Sequence, residues 1–145
     1  MKLSTRTRYG VRLMVELGLN YGKKPIFLKD IARRENISEK YLSIIVIRLR
    51  GAGLVSSVRG VNGGYNLAKD PVEITLIEVV TVLEGNCHLV HCVKNSSACS
   101  RATQCASRDL WILVCDSITE TLGSVTLDWL IKKQRQKAIV KLKKK

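Results

Sequence analysis

The sequence predicts a mainly α-helical fold with one small β-hairpin, and three observations support this prediction. Apolar residues recur at three- and four-residue steps in several separate stretches, which is the spacing of amphipathic helices. Residues 54–67 instead alternate with period two on either side of a glycine-rich turn, as hairpin strands do. Aromatic residues make up only 5% of the 145 residues, so Leu, Ile and Val must fill a single core.

The first fifty residues predict three helices separated by short breaks. Their ranges are 4 to about 20, about 29–35 and 38–50. Ser4 and Ser38 stand at N-cap positions, where a side-chain oxygen accepts a hydrogen bond from a free backbone N–H group. Two short helices joined by a tight turn, the second opened by a small polar residue, are typical of a helix-turn-helix. Any small helical bundle would also fit this stretch taken alone.

The hairpin follows these helices directly. Residues 54–59 predict its first strand, 60–64 a glycine-rich turn and 65–67 the return strand. A hairpin in this place is a wing, so the sequence predicts a winged helix-turn-helix with Arg59 at the base of the wing. A nucleotide-binding loop is the alternative, but the spacing is not that of a P-loop and a strand follows instead of a helix.

The second half predicts two further helices around an irregular segment. A capping box at 75–78 opens the first, which Gly85 ends. Residues 86–105 show no periodicity. A long helix begins at about Ser107, and its apolar stripe needs a partner, for which a second copy in a two-fold dimer is the expected one. The stripe comprises Leu110, Trp111, Val114, Cys115, Ile118 and Leu122.

These elements divide the chain into four segments. They are a winged helix-turn-helix DNA-binding domain (1–84), a cysteine-rich sensor segment (85–106), a long C-terminal dimerisation helix with a short return helix near 129–131 (107–131), and a basic tail (132–145). We expect the tail to be frayed and solvated, with a second phosphate contact as the alternative.

Charge is distributed unevenly along the chain, whose net charge is +13. Residues 1–70 carry fourteen basic and five acidic side chains, residues 71–131 three and seven, and residues 132–145 eight and none. A basic half-domain indicates nucleic acid or an anionic membrane surface as its partner. No apolar run approaches the ~18 residues of a membrane span, and the start does not resemble a secretory signal. We therefore expect nucleic acid as the partner and a cytoplasmic location.

Four of the five cysteines lie close together in the sequence, with both histidines among them. The arrangement is Cys87-x4-Cys92-x6-Cys99-x5-Cys105, with His88 and His91 in the same window. These spacings are wider than those of a zinc ribbon or a thioredoxin-type pair, but suit a larger cluster held by a flexible loop. Because thiolates are the usual ligands of iron–sulfur clusters, such a cluster is favoured. A metal-free thiol switch, a zinc site and an incidental grouping stay open.

Catalysis is not expected from this sequence. It contains no paired carboxylates in a catalytic spacing and no cofactor fingerprint. Cys92 and His91 would form the one conceivable nucleophile–base pair. The chain is therefore predicted not to be an enzyme.

Several stretches match a known family. They are Met1–Gly10, Ile37–Leu42, Leu49–Gly60, Gly63–Ala68 and the loop of Cys92, Cys99 and Cys105 that leads into Leu110–Trp111. Together they resemble the iron–sulfur and redox-sensing winged-helix regulators of the IscR type, with NsrR and CymR as relatives. The resemblance covers residues 1 to about 131.

The resemblance implies a homodimeric transcription regulator that binds a pseudo-palindromic operator in double-stranded DNA. It also implies an iron–sulfur cluster, [2Fe–2S] in preference to [4Fe–4S], that controls operator binding. By position, Cys92, Cys99 and Cys105 match the cluster ligands. The family's histidine three residues after the third cysteine is Arg108 here, so the fourth ligand stays open among His91, His88 and Cys87. A metal-free thiol-switch regulator is the alternative function.

The expected DNA contacts lie on the third helix and the wing. They are Ser38, Lys40, Tyr41 and Ser43 in the major groove, and Arg59, Gly63 and Gly64 toward the flanking backbone or minor groove. Tyr41 fits the buried stripe of the helix equally well. The resemblance implies an acidic residue at position 43 in IscR-type members, so Ser43 predicts a different operator preference. A non-specific architectural DNA binder is a further alternative.

Overall fold

The computed structural model describes residues 3–85 and 89–143, and these form seven helices and one two-stranded hairpin. In chain order the elements are α1 (Thr5–Leu19), α2 (Leu28–Glu35), α3 (Glu39–Gly51), β1 (Val55–Val58), β2 (Gly64–Leu67), α4 (Leu76–Glu84), α5 (His91–Lys94), α6 (Ala106–Ser124) and α7 (Leu127–Lys143). The mainly α-helical fold with a hairpin wing is confirmed.

Helix α1 lies at the centre of the fold, in contact with α2, α3, α4, α7 and β2. Its Leu13, Met14 and Leu17 are buried, and they meet the buried stripe of α3. That stripe consists of Leu42, Ile45, Val46 and Leu49. Aliphatic side chains thus fill one continuous core, as the low aromatic content predicts.

The helix boundaries follow local hydrogen bonding. The Ser4 and Ser38 side chains each accept a hydrogen bond from a backbone N–H three residues later, which opens α1 and α3. Asn36 closes α2 with a left-handed backbone, φ 51°. The capping box at Thr75 and Glu78 opens α4. The predicted boundaries of these four helices are therefore confirmed to within one or two residues.

The wing is an antiparallel hairpin in which Val55 pairs with Leu67 and Val58 pairs with Gly64. This register makes 59–63 the turn, so Arg59 lies at the tip of the wing and not at its base as the sequence suggested. The expected strand end was one residue too late. Ile26 forms a bridge with Tyr65, and this bridge ties the segment before α2 to the wing.

The C-terminal part differs from the short return helix and frayed tail expected from the sequence. Residues 127–143 form the single helix α7. Leu127 and Ile131 are buried, and Ile131 contacts α1 at Gly18, where there is no side chain to separate the two helices. Lys, Arg, Gln and Ala are strong helix formers, so the basic residues continue this helix, and those up to Lys137 remain exposed. No described helix is long and apolar enough to span a bilayer.

We expect Gly64→Ala to lower the free energy of unfolding more than Gly60→Ala. Gly64 has φ 137°, and a Cβ there would lie 2.5 Å from the carbonyl oxygen of Ile26. Gly60 has φ 107°, but no described atom lies within 4 Å of such a Cβ. Backbone strain costs about 1–3 kcal/mol in both variants, and the collision adds about 1–3 kcal/mol at Gly64. Urea unfolding measures both losses, and equal losses would contradict the bridge between Ile26 and the wing.

We expect Glu84→Gln to weaken the acid dependence of stability. The Glu84 carboxylate accepts hydrogen bonds from the Ser4 hydroxyl (2.6 Å), the Ser4 backbone N–H (3.1 Å) and the Thr7 hydroxyl. The Ser4 and Thr7 hydroxyl groups are the main cause of the lowered pKa of Glu84. Its stabilisation is therefore present above the ordinary glutamate pKa of 4.5 and is lost as the pH falls through the lowered value.

Thermal unfolding from pH 7 to 3 measures this effect. The wild-type protein should lose more stability over this range than the Glu84→Gln variant. Glu73→Gln, at an exposed position before α4, is the matched control and should keep the wild-type profile. Parallel profiles for wild type and Glu84→Gln would show that this carboxylate does not link α4 to α1.

Candidate nucleic-acid interface and cysteine segment

A cleft of about 540 Å³ lies between α3 and the wing. Its lining includes Lys29, Glu39, Ser43, Arg50, Ser57, Arg59, Gly63 and Gly64. Four residues expected at the DNA interface thus line one cleft, namely Ser43, Arg59, Gly63 and Gly64. The cleft also adds Lys29 and Arg50, which were not among the expected contacts.

The cleft is basic. Lys29, Arg50 and Arg59 are exposed, and Glu39 is the acidic residue of the lining. Lys29 lies 5.3 Å from the centre of the Phe27 ring, and Arg50 donates a 3.4 Å hydrogen bond to Ser57 at the wing. Cations on both walls of one cleft attract a polyanion such as the DNA backbone.

Two of the expected contacts on α3 have structural partners. Ser38 accepts a hydrogen bond from the backbone N–H of Tyr41. The half-buried Tyr41 ring packs edge-on against Tyr9 of α1, with ring centres 5.9 Å apart. These contacts position the start of α3, in agreement with the buried alternative for Tyr41. Lys40 is exposed, as a DNA contact requires.

Ser43 and Gly63 also make internal contacts. The Ser43 hydroxyl donates a 2.7 Å hydrogen bond to the carbonyl oxygen of Lys40. Gly63 is buried, and a Cβ there would collide with the carbonyl oxygens of Val58 and Gly60. Gly63 and Gly64 therefore shape the wing tip by allowing close backbone approach.

Sequence reasoning missed two residues on the outward face of α3. Ile44 is 48% exposed and Ile47 is 58% exposed, although both are large and apolar. A signal was present in the sequence, since both positions lie off the helical stripe of Leu42, Ile45 and Leu49. Their exposure leaves an apolar ridge beside the basic cleft.

The cysteine segment 89–105 has more structure than the irregular loop expected from the sequence. It contains α5 and two 3₁₀ turns, Ser96–Ala98 and Ala102–Gln104. Cys92 and Cys105 are half-buried, Cys99 is exposed, and all three are free thiols. His91 is exposed. Two other candidate ligands, Cys87 and His88, lie outside the described residues.

Two hydrogen bonds fasten the cysteine segment to α6. The Leu89 backbone N–H donates to the Cys115 thiol sulfur at 3.4 Å, and Arg108 Nε donates to the Cys92 carbonyl oxygen at 3.0 Å. Cys115 is buried, as the stripe of the long helix predicts for a packed thiol. The cation at position 108 therefore has a structural contact at the place where the resembled family has a ligand.

The donor chemistry of this segment suits an iron–sulfur cluster, although the described thiols are not grouped as a metal site. Cys92, Cys99 and Cys105 would supply three thiolates, which are the preferred ligands. Within residues 3–85 and 89–143, however, no three His, Cys, Asp or Glu side chains come together as a metal site. Arg108 is not a metal ligand, so a fourth ligand would have to be another residue, with His91 as the described candidate.

Comparison with known proteins identifies the family. The sequence model of the Rrf2 family, described as an iron-dependent transcriptional regulator, matches residues 3–133. The chain belongs to the Rrf2 family. It is similar to CymR of Bacillus subtilis, with 42% identity over 128 residues and 88% of each chain covered. It is 37% identical to IscR of Xenorhabdus nematophila over 134 residues, which cover 92% of this chain and 81% of that protein.

Solved structures agree with this membership in the Rrf2 family. The structure of B. subtilis CymR, described as a global cysteine regulator, has a TM-score of 0.79 at 41% identity, covering 92% of this chain and 98% of that one. An oxidized form of Staphylococcus aureus CymR has a TM-score of 0.73 at 36% identity, covering 90% and 96%. The predicted family resemblance and the winged-helix fold are confirmed. The named relatives are transcription regulators, in agreement with the prediction of a chain that is not an enzyme.

Proposed function

We propose that this Rrf2-family regulator acts in the cytoplasm as a homodimer on a pseudo-palindromic operator in double-stranded DNA. The observation that carries the proposal is the basic cleft between α3 and the wing. In a winged helix-turn-helix, this side of the recognition helix faces the major groove and the wing lies along the flanking backbone.

The dimensions of α3 and the wing suit this docking. Helix α3 has 13 residues, so its axis is about 20 Å long. It presents Lys40 near its start and Arg50 near its end, where phosphates on both sides of a groove about 12 Å wide would lie. Arg59 at the wing tip reaches further from the core than a residue at the base would, which supports its role on the flanking backbone.

The exposed surface of α6 supports the homodimer. Of the predicted stripe, Cys115 is buried and Ile118 and Leu122 are half-buried, because α6 packs against α4. Leu110 and Trp111 are 52% and 38% exposed, and the adjoining Leu113 is 64% exposed. A second α6 related by a two-fold axis would cover this apolar end and set two α3 helices on symmetric half-sites.

We expect Arg50→Ala and Arg59→Ala to weaken binding to selected and random duplexes by similar factors, because phosphate contacts carry no sequence information. Each variant should lower the slope of log affinity against log salt concentration by about one. Fluorescence anisotropy from 50 to 300 mM salt measures both quantities. Lys69→Ala removes an exposed cation that pairs with Glu78 at 3.3 Å, and as the matched control it should keep the wild-type slope.

The same titrations distinguish a specific regulator from an architectural DNA binder. Wild-type protein should bind a duplex selected from a random pool at least 1,000-fold more tightly than random duplex, on the order expected for sequence-specific proteins. Equal affinities at matched salt would contradict operator binding. Unchanged salt slopes in both arginine variants would instead contradict the assignment of the cleft.

We further propose that the cysteine segment controls operator affinity through its thiols without a resident metal. The half-buried Cys92 and Cys105 and the exposed Cys99 are free. Peroxide can oxidise two such thiols to a disulfide, with the two electrons and two protons passing to peroxide to form water. The oxidized form described for S. aureus CymR supports this chemistry in a similar protein.

An iron–sulfur cluster held by Cys92, Cys99 and Cys105 is the second candidate, with [2Fe–2S] preferred over [4Fe–4S] from the sequence resemblance. The family's description as iron-dependent regulators favours it. When bound, such a cluster would supply a redox- or iron-sensitive group to the segment. The three thiols would first have to come together and a fourth ligand join them, since no three His, Cys, Asp or Glu side chains are grouped among the described residues.

We expect protein purified without oxygen to be colourless and to contain no stoichiometric iron or sulfide. Hydrogen peroxide should then change operator affinity about 5- to 150-fold, the usual range of coupling between two sites. A variant with serine at positions 87, 92, 99 and 105 should lose this response. Cys115→Ser is the matched control and should keep it, because Cys115 is buried on α6 and a serine oxygen still accepts from the Leu89 N–H.

The metal analysis separates the two candidates. A brown protein with equal, stoichiometric iron and sulfide would overturn the metal-free proposal, and the amount per chain would distinguish [2Fe–2S] from [4Fe–4S]. A colourless protein whose operator affinity ignores peroxide would contradict the thiol switch. Neither result changes the assignment of the DNA-binding surface.

A further inference from the structure

The outward face of α3 carries an apolar ridge at its centre. Lys40, Ile44 and Ile47 follow one another at steps of four and three residues, so they lie along one line of the helix. This line is opposite the buried stripe that fixes the rotation of α3 in the core. Ile44 and Ile47 are about half exposed, at 48% and 58%.

The surroundings of this ridge indicate what covers it. Lys40, Arg48 and Arg50 are exposed on the same helix, so the apolar centre has a cationic rim. An apolar surface of a partner protein would leave these cations without partners. DNA phosphates on either side of a major groove would neutralise them. Within that groove, the C5-methyl group of thymine is the apolar feature that a base pair presents.

We propose that Ile44 and Ile47 determine operator specificity by packing against thymine methyl groups in the major groove. This inference rests on the proposed binding of α3 to DNA. A cytosine at the same place carries a hydrogen at C5 instead of a methyl group, so it offers the isoleucine side chains less apolar surface to bury. Isoleucine at these positions therefore favours thymine over cytosine through burial of the methyl group.

The other polar residues at or near α3 that could read a base make contacts within the protein. The Ser43 hydroxyl donates to the Lys40 carbonyl oxygen, so its proton is not available to a base acceptor in this conformation. Ser38 caps the helix, and Tyr41 packs on Tyr9. Arg50 faces the cleft at the wing, where it contacts Ser57.

The test begins with duplexes selected from a random pool by the full-length wild-type protein. We expect thymine to be enriched at symmetric positions of the two half-sites. Each enriched thymine is then replaced by deoxyuridine, which removes the methyl group and keeps the base pair. Wild-type affinity should fall about fourfold for each buried methyl group that is removed.

The variant Ile44→Ala/Ile47→Ala should bind the thymine and deoxyuridine duplexes with nearly equal affinity. Its affinity for random duplex and its salt slope should match the wild type, which also shows that the exposed substitutions leave the fold intact. Val72→Ala, at an exposed apolar position remote from α3 in the sequence, is the control and should keep the full wild-type preference. Ile44→Val should keep most of it.

The outcomes separate this inference from the function on which it rests. If no sequence is enriched from the pool, operator binding itself is contradicted. If a sequence is enriched but deoxyuridine binds the wild type as well as thymine does, the inference alone is overturned. Equal losses with deoxyuridine in the wild type and the double variant would overturn it too, because other residues would then contact the methyl groups.

Discussion

The burial of one face of α3 against α1 is the constraint on which the rest of the structure depends. Leu42, Ile45 and Leu49 are completely buried, so the helix has one rotation about its axis that keeps them from water. That rotation turns Lys40 and Ile44 outward. Burial of the inner face therefore decides which residues of α3 point outward, since the helical period fixes the place of each residue relative to the others.

The start of α3 is held by a second group of contacts, which centres on α1. Tyr41 packs against Tyr9, and Arg12 lies 5.4 Å from the centre of the same Tyr9 ring. Arg12 also forms an ion pair with Glu35 at the end of α2. This ion pair is partly exposed and contributes little free energy by itself. Its position matters more, because it joins α1 to the turn that aims α3.

The sequence was sufficient for elements whose signals are local. Caps at Ser4, Ser38 and Thr75 mark helix starts because their hydrogen bonds involve residues only three positions away. The extent of α7 was not predictable in this way, since Ile131 is buried by α1, more than a hundred residues away in the chain. A lysine-rich sequence does not distinguish a solvated tail from a helix packed on the core, because lysine is compatible with both.

The DNA interface could be predicted from the sequence more completely than the cysteine site. Ser43, Arg59 and Gly63 were expected at the interface and line one cleft, because their positions follow from helix period and hairpin register. The outward isoleucines follow from the same period but were overlooked. Cysteine spacing, in contrast, does not determine the path of the loop between the thiols. Whether Cys92, Cys99 and Cys105 converge was therefore beyond what spacing alone decides.

The contacts of the described residues connect the cysteine segment to the DNA-binding surface without a gap in packing. Arg108 fastens Cys92 to α6, and α6 packs against α4. At the end of α4, Glu84 binds the start of α1 through Ser4. Helix α1 in turn holds the start of α3 through the Tyr9–Tyr41 pair.

A chain of contacts transmits a signal only if one of its members has two arrangements whose equilibrium both ends influence. A reaction of the thiols would act first on α6, which the cysteine segment contacts through Arg108 and Cys115, and α6 packs against α4. Because the Glu84 carboxylate makes three hydrogen bonds to α1, small displacements there alter the contact that orients α1. A coupling of about 1–3 kcal/mol requires the loss of no more than one or two such bonds. The junction of α1 and α4 is thus the place where chemistry at the thiols would reach the recognition helix.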